Sequence, residues 1–423
     1  MSPSSWYHAA TPAGPFHPTL QGAIEADICV VGGGIAGCST ALHLAERGFR
    51  VVLLEADRIG SGASGRSGAQ AITGVACGQD KLESLIGLDA AKRIWDCSVE
   101  ALSLQRELIA RYAIDCDYTA GQMQVAIKPR QEASLKNEVS RLQRVYGYHS
   151  MRMMERAELR ECIASSRYVA ATYDTNAGHL QPLQYTRGLA AAAVSRGARI
   201  FEHTRALAHQ RRDGRLVIRT TAGEVATEHL ALCGNATLGG YSRALARKIM
   251  GVATYIIATE SLGEARASEL IRNNAAVTDS NFVLDYFRRS ADHRLLFGGR
   301  VSYSGLDPLG TTRATRARML QVFPQLADAR IEHAWGGYVD ITVNRAPHFG
   351  RLEPDVYFVQ GFSGHGIALT GIAGKLLADA IGGTSEQFDV FSRIPHHDFP
   401  GGDALRRPLL VLAMLWYRLR DWF

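Results

Sequence analysis

The sequence predicts a mixed α/β fold, with a doubly wound, Rossmann-like unit interleaved with a smaller unit richer in strands. Three stretches predict it. Near the N-terminus, "ADICVVGGGIAGCSTALHLAERGFRVVLLEA" runs strand, glycine turn, helix, strand and acid in that order. In the middle, "GARIFEHTRALAHQRRDGRLVIRTTAGEVATEHLALCGNA" alternates apolar and polar residues around Asp213-Gly214, then ends on the apolar strand Leu230 to Cys233 and Gly234. Near the C-terminus, "VYFVQGFSGHGIALTGIAGKLLADAI" repeats the order strand, glycine-rich turn and helix.

The first stretch can be justified residue by residue. Ile28 to Val31 is a short apolar run, as a buried strand requires. Gly32, Gly34 and Gly37 form a G-x-G-x-x-G turn. Ile35 to Arg47 has helical composition and stops at Gly48. Arg50 to Leu54 is a second buried strand, with Glu55 at its end and Ala56 after it. The glycines permit a tight turn, close approach of a pyrophosphate and close helix packing, and Glu55 can accept hydrogen bonds from a ribose. Order and spacing together point to a dinucleotide site that includes Ile35 and Ala36 at the helix start. A tight turn that binds nothing is the alternative.

The turn alone does not separate NAD from FAD. The next stretch, "DRIGSGASGRSGAQAITG", carries five glycines and three serines where a purely nicotinamide-binding unit continues into a helix. A loop lying against a large flat cofactor accounts for it, through Gly62, Ala63, Ser64, Gly65, Arg66, Ser67, Gly68, Ala69 and Gln70. A plain surface loop is the alternative. In the last stretch, the helix from about Gly366 to Ile381 places Leu369, Ile372, Ala373, Leu376, Leu377 and Ala380 on one core-facing stripe.

These pieces divide the chain. The nucleotide-binding unit is expected from 24–90, 150–235 and 340–400, and the second unit from 91–149 and 236–339. A C-terminal apolar and basic helix is expected over 401–423. Residues 82–112 read as helix, Gly121 to Ile127 as strand and 130–146 as helix. "ATYIIATE" and "HRLLFGGRV" read as strands of the second unit. Interleaved units place their ligand site at the boundary between them.

Composition excludes several classes. The 423 residues are 46% hydrophobic and 21% charged, an ordinary globular balance. The net charge of +6 is spread along the chain, which argues against a nucleic-acid face. Seven scattered cysteines form no C-x-x-C, which fits a reduced, cytoplasmic protein with no metal site. The N-terminus does not read as a signal peptide, and no apolar run approaches the roughly 20 residues of a membrane span.

Together, "VVGGGIAG", "LLEA", "GASGRSGAQ", "LCGN" and "GFSGHG" resemble the D-amino-acid-oxidase-like FAD oxidoreductases, a family that includes the sarcosine and glycine oxidases. The "SWY" start, "WGGYVDITVNRAPHFGRL" and the tail "FPGGDALRRPLLVLAMLWYRLRDWF" resemble the branch of γ-glutamylputrescine oxidoreductases. The resemblance implies the D-amino-acid-oxidase or glutathione-reductase type of FAD fold with an antiparallel-sheet substrate domain. It also implies that the first glycine turn holds the pyrophosphate, with Ala206, Cys233 and Gly234 on the cofactor path. Gly337, Gly361, Gly364, His365, Gly366, Ile367 and Ala368 would stand at the flavin end. The helix starting there would aim its N-terminus at the ring. His365 is the candidate catalytic residue, with a structural histidine as the alternative.

Some relatives attach FAD covalently through a histidine after the second glycine loop or a cysteine in the substrate half. Gln70 follows Ala69 here, and residues 234–423 contain no cysteine, so noncovalent FAD is expected. Sarcosine-oxidase-like relatives hold a substrate carboxylate with a lysine two residues after the G-H-G turn. Here that position is Ala368. This suits an amine whose oxidised carbon carries no carboxylate, as in γ-glutamylputrescine. Tyr255, Tyr286 and Trp335 are candidates for an aromatic wall, and Arg300, Arg288 and Arg289 for the distant glutamyl carboxylate; buried core residues and solvated arginines are the alternatives.

The resemblance implies that the amine-bearing carbon gives hydride to FAD, and that the imine hydrolyses to an aldehyde and ammonia in polyamine breakdown. Oxygen is the expected acceptor. No lysine lies between Ile249 and Gly374, so Lys248, Arg266 or His365 would have to supply the positive charge that helps oxygen react. An FAD-dependent amino-acid or amine dehydrogenase passing electrons to a membrane carrier, with peripheral membrane contact through the C-terminal helix, is the less favoured alternative; a flavin-bearing subunit without turnover is a third.

Overall fold

The computed structural model describes residues 5–12, 14–281, 284–302 and 308–402, with the backbone alone at 300–302, 308 and 309. Among the described residues the fold is mixed α/β and is built on three sheets. The six-stranded sheet runs His348–Glu353, Val356–Gln360, His229–Leu232, Ile28–Val31, Val51–Leu54, Arg199–Phe201. Its neighbours are parallel except for the hairpin of the first two strands. Ile28–Val31 and Val51–Leu54 are buried at every position, as strands covered on both faces must be. Each such side chain contributes roughly 1.5–3 kcal/mol by leaving water.

Helix Ile35–Glu46 covers this sheet and packs between helices Gly366–Ile381 and Pro182–Ser195. The contact with Gly366–Ile381 is close because glycine allows it. A Cβ at Gly374 would stand 2.6 Å from the Ser39 Cβ and 2.7 Å from the Thr40 nitrogen. The Ser39 hydroxyl donates to the Gly371 carbonyl at 2.7 Å, binding the two helices at that point. A four-stranded sheet is formed by Gly22–Glu25, Gly223–Thr227, Arg215–Arg219 and Ala208–Arg212. It contains the meander expected around Asp213-Gly214.

The nine-stranded sheet runs Ile331–Thr342, Ile249–Thr259, Leu295–Ser302, Tyr286–Arg289, Ala276–Asp279, Thr119–Ala126, Ala170–His179, Gln70–Ala71, and Met151–Met153 also pairs with Ala170–His179. It is antiparallel except between Ala276–Asp279 and Thr119–Ala126. Met151–Met153 and Ala170–His179 therefore pair in this sheet, although 150–235 reads in sequence as part of the nucleotide-binding unit. A strand's sequence does not name its pairing partners, so the crossover back to the first sheet comes later than the sequence suggests. The helix read over 82–112 is two helices, Gln79–Ile86 and Leu88–Arg111, parted by Gly87 at φ 81°.

No single described helix is long and apolar enough to cross a membrane. The helix expected over 401–423 lies outside the described residues beyond 402.

Gly374→Ala should destabilise the protein despite the helix propensity of alanine. That propensity is worth about 1 kcal/mol, whereas overpacking against backbone costs roughly 1–3 kcal/mol. A lower urea midpoint at unchanged slope is the expected result.

Candidate cofactor and active site

At the first turn the backbone passes too close to its neighbours for any side chain. A Cβ at Gly37 would stand 1.8 Å from the Gly32 carbonyl oxygen, and one at Gly32 2.8 Å from Gly234. One at Gly34 would stand 2.8 Å from the Ser64 hydroxyl oxygen, which accepts the Ile35 N–H at 3.0 Å. Gly34 caps helix Ile35–Glu46 without a side-chain bond. The N–H groups of Ala36 and Gly37 meet no acceptor among the described residues. Glu55 accepts the N–H of Gly33 at 2.6 Å and of Asp57 at 2.8 Å. Burial pushes its carboxyl above the usual range, against the pull of those two N–H groups. Residues 203–204 run beside it, with Thr204 N–H donating to the Glu55 carbonyl at 2.8 Å, and Ala206 follows half-buried.

The second turn leaves strand Val356–Gln360 at Gly361, φ 71°, and reaches its helix through Ser363, φ 54°, and Gly364, φ 99°. Two neighbours hold it. Asn235, itself at φ 51°, accepts the Gly361 N–H on its side-chain oxygen at 3.0 Å. The Asp340 carbonyl accepts the Ser363 N–H at 3.0 Å. Asn235 directly follows Cys233 and Gly234, so it ties the end of one parallel strand to the turn that leaves the next. His365 caps helix Gly366–Ile381 without a side-chain bond. The N–H groups of Gly366, Ile367 and Ala368 find no acceptor among the described residues. Desolvation, with the charge of Arg345 behind it, pushes the His365 imidazole down to about 4, so the ring is neutral at pH 7.

Both helix starts thus offer unpaired N–H groups at the positive end of a helix dipole, the arrangement that receives anionic groups. With the three close-approach glycines and the acid at Glu55, the residues present fit a dinucleotide with an anionic centre at each turn.

The loop after Ala56 connects the two units. Ala63–Gly65 forms one turn of 3₁₀ helix. The Arg66 guanidinium donates to the Gly336 carbonyl at 2.6 Å, and its side chain lies against Gly337. Gln70 bridges to Val277 and Thr278, at 3.0 and 2.7 Å.

Trp335 is 2% exposed, and its indole N–H donates to the Arg66 carbonyl at 3.0 Å. Tyr286 packs its ring against Gly68 and Gly298, where a Cβ would stand 2.5 and 2.4 Å away. Tyr255 is half-buried across Gly336. Arg288 and Arg289 are 3% and 9% exposed and are committed to carbonyl oxygens, which argues against either as a substrate cation. Burial of the strand that carries them decides this. The Arg300 backbone pairs with Tyr255; its side chain lies outside the described residues. Ala368 is 2% exposed and belongs to the hydrophobic core that also includes Ala71 and Ile372.

Sequence reasoning does not find Tyr7, Asn235 or Asp340 as parts of the site. Asp340 is 7% exposed; one carboxyl oxygen accepts the Ala236 N–H at 3.2 Å and the other has no partner. Burial raises its carboxyl from the ordinary 3.8 to about 6. Among the described residues no cluster of ligands suited to a metal occurs.

A family profile described as FAD dependent oxidoreductase, DAO, matches residues 27–380. The gamma-glutamylputrescine oxidoreductase of Escherichia coli (strain K12) is 41% identical over 420 residues, covering 99% of this chain and 98% of that protein. A probable oxidoreductase OrdL of Haemophilus influenzae is 38% identical, covering 96% of this chain and 94% of that protein. Among solved structures, glycine oxidase from Geobacillus kaustophilus superposes with a TM-score of 0.73 at 22% identity, covering 88% of this chain and 99% of that one; this likeness is one of fold.

Gly34→Val should yield folded protein that purifies without the yellow flavin band, because the side chain fills the space at the helix start. Absorption and circular dichroism together check it. For Asp340, the folded chain keeps its proton over a range where the unfolded chain ionises. Stability should therefore fall as pH rises from about 4 to about 6 and stay level above, the gap being worth about 3 kcal/mol. Asp340→Asn should remove that fall in urea unfolding measured across pH.

Proposed function

The chain belongs to the DAO family of FAD-dependent oxidoreductases, and from that premise we propose that it oxidises the primary amine of γ-glutamylputrescine to an aldehyde, releasing ammonia. The observation that carries the substrate is the 41% identity to the E. coli gamma-glutamylputrescine oxidoreductase along nearly the full length of both chains. Ala368 supports it, since a buried methyl group cannot hold a carboxylate on the carbon being oxidised. The setting is putrescine catabolism, in the cytoplasm.

The cofactor is FAD held without a covalent bond: Gln70 follows Ala69, and the last cysteine is Cys233. When bound, FAD supplies the two-electron acceptor for the C–H bond beside the amine. The open N–H groups of Ala36 and Gly37 would take the pyrophosphate, and those of Gly366 to Ala368 would face the charge that grows at the ring. The neutral His365 stands at the helix cap and offers a ring nitrogen for hydrogen bonding, without adding a cation. Tyr255 is the half-buried aromatic group on the sheet side and the candidate for contact with the substrate carbon chain.

Oxygen, giving hydrogen peroxide, is the proposed acceptor. One observation favours a second reading, in which electrons pass to another carrier. Lys248 pairs with Asp398 at 3.0 Å, Arg266 pairs with Asp328 at 2.6 Å, and His365 is neutral. None of these three therefore brings a free positive charge to the turn.

Anaerobic addition of γ-glutamylputrescine should bleach the flavin band, and air should restore it with one peroxide per turnover. Bleaching that air reverses only slowly keeps the substrate and moves the protein to the dehydrogenase reading. No bleaching refutes the substrate.

A further inference from the structure

Four consecutive carbonyls in the loop joining the two units are each taken by a different donor. Arg66 C=O accepts from the Trp335 indole at 3.0 Å, and Ser67 C=O from the Tyr7 phenol at 2.9 Å. Gly68 C=O accepts from Arg288 Nε at 3.3 Å, and Ala69 C=O from the Leu180 N–H at 3.2 Å. A trans peptide points its C=O and N–H in opposite directions. The N–H groups of Ser67, Gly68 and Ala69 therefore face away from Trp335, Tyr7 and Arg288.

Those three N–H groups have no acceptor among the described residues. Ala69 is 1% exposed and stands at φ 63°, a conformation unfavourable to an L-residue, and the Ser67 hydroxyl is buried with no partner. An unpaired backbone donor at a buried residue such as Ala69 is rare and costly, and the row it forms with the half-buried Ser67 and Gly68 in a strained loop marks a place for an acceptor.

The donors on the far side are themselves fixed. Tyr7 is fully buried in the N-terminal helix Trp6–Ala10, with its ring 5.2 Å from that of Trp335. Its carbonyl accepts from Gln181, and the Trp6 indole N–H donates to Asp292 at 3.2 Å. Arg288 donates to the Tyr7 oxygen at 3.2 Å and approaches His179 Nδ1 at 3.4 Å. His179 Nε2 lies 2.8 Å from the Asn274 carbonyl, so it carries the proton and leaves Nδ1 to accept. Among the described residues Arg288 forms no ion pair. A buried guanidinium without an ion-pair partner among those residues thus stands behind the loop.

We propose that the N-terminal segment is a strap in which Tyr7, with Trp335 and Arg288, holds the carbonyls of residues 66–68 so that the N–H groups of Ser67, Gly68 and Ala69 present a donor row to the flavin ring. Tyr7 is a positioning residue; it acts through the loop. The inference rests on FAD as the cofactor and is independent of which amine is oxidised. A row of donors favours the reduced, more electron-rich flavin over the oxidised one. Loss of one anchor should therefore lower both FAD affinity and midpoint potential.

The test measures FAD dissociation and the midpoint potential of the full-length holoenzyme, reduced chemically without amine, for Tyr7→Phe, Trp335→Phe and Trp6→Phe. Tyr7→Phe keeps the ring and removes the phenol oxygen, which also accepts from Arg288; Trp335→Phe removes the indole donor together with part of a buried ring. Each should weaken FAD binding roughly tenfold, the scale of one hydrogen bond. A further tenfold loss for reduced FAD would lower the potential by about 30 mV. Trp6→Phe alters the same strap without touching the loop carbonyls and should leave the potential unchanged. An unchanged potential in both anchor variants, or an equal fall in Trp6→Phe, overturns the proposal. Should Tyr7→Phe fail to fold, Trp335→Phe alone decides. A colourless wild type would instead refute FAD as the cofactor, and a flavin that γ-glutamylputrescine cannot reduce would refute only the substrate.

Discussion

The contact of Gly37 with the Gly32 carbonyl sets the geometry from which the rest of the site follows. With no Cβ in the way, helix Ile35–Glu46 leaves the sheet at once, and its first N–H groups stay close to the carboxyl ends of strands Ile28–Val31 and His229–Leu232. The same helix meets helix Gly366–Ile381 at Gly374, again by backbone approach. Two helix starts, distant in sequence, are thereby held on one side of one parallel sheet. A bulkier residue at any of these contacts would push a helix outward and displace its unpaired donors.

The site is built mainly from backbone donors. The two helix starts and the loop after Ala56 present N–H groups, while Lys248 and Arg266 are paired with acids and Arg288 and Arg289 are buried. Such donors suit a cofactor that stays bound while its ring gains and loses negative charge. They stabilise the charge without offering a proton, and they need no reorganisation when it forms. Asn235 and Asp340 hold the second turn in its strained path from two sheets: Asn235 follows the parallel strand His229–Leu232, and Asp340 lies on the antiparallel strand Ile331–Thr342.

The nine-stranded sheet contributes in a different way. Its edge strand Ile331–Thr342 lies beside the loop 57–74, with Trp335 and Gly336 bonded to Arg66 and Val339 near Gly364. One strand thus touches both ends of the region expected to surround the flavin. The stretch Gln70–Ala71 joins the same sheet from the other direction. The boundary between the units is a set of hydrogen bonds, and the N-terminal helix covers it from outside.

Local order was legible in the sequence because it is encoded by neighbours. Apolar runs, glycine spacing and the acid at Glu55 specify the first turn within about thirty residues, and the stripe from Leu369 to Ala380 marks the last helix. The glycine-rich loop also carried its signal in composition. Other features depend on residues that meet only after folding. Strand Ala170–His179 joins the nine-stranded sheet through pairings with Thr119–Ala126 and Met151–Met153, partners that its own sequence does not specify. Arg288 stands in the sequence as a candidate cation for the substrate carboxylate, with a solvated arginine as the alternative, and it is buried because Tyr7, His179 and Gly68 close around it. The sequence by itself determined that strands, glycine turns and helices would form a dinucleotide-binding unit, because those signals are local and periodic. Only the tertiary structure decided which carbonyls of the loop are held and which N–H groups are left facing the site, because that depends on contacts between residues up to 281 positions apart.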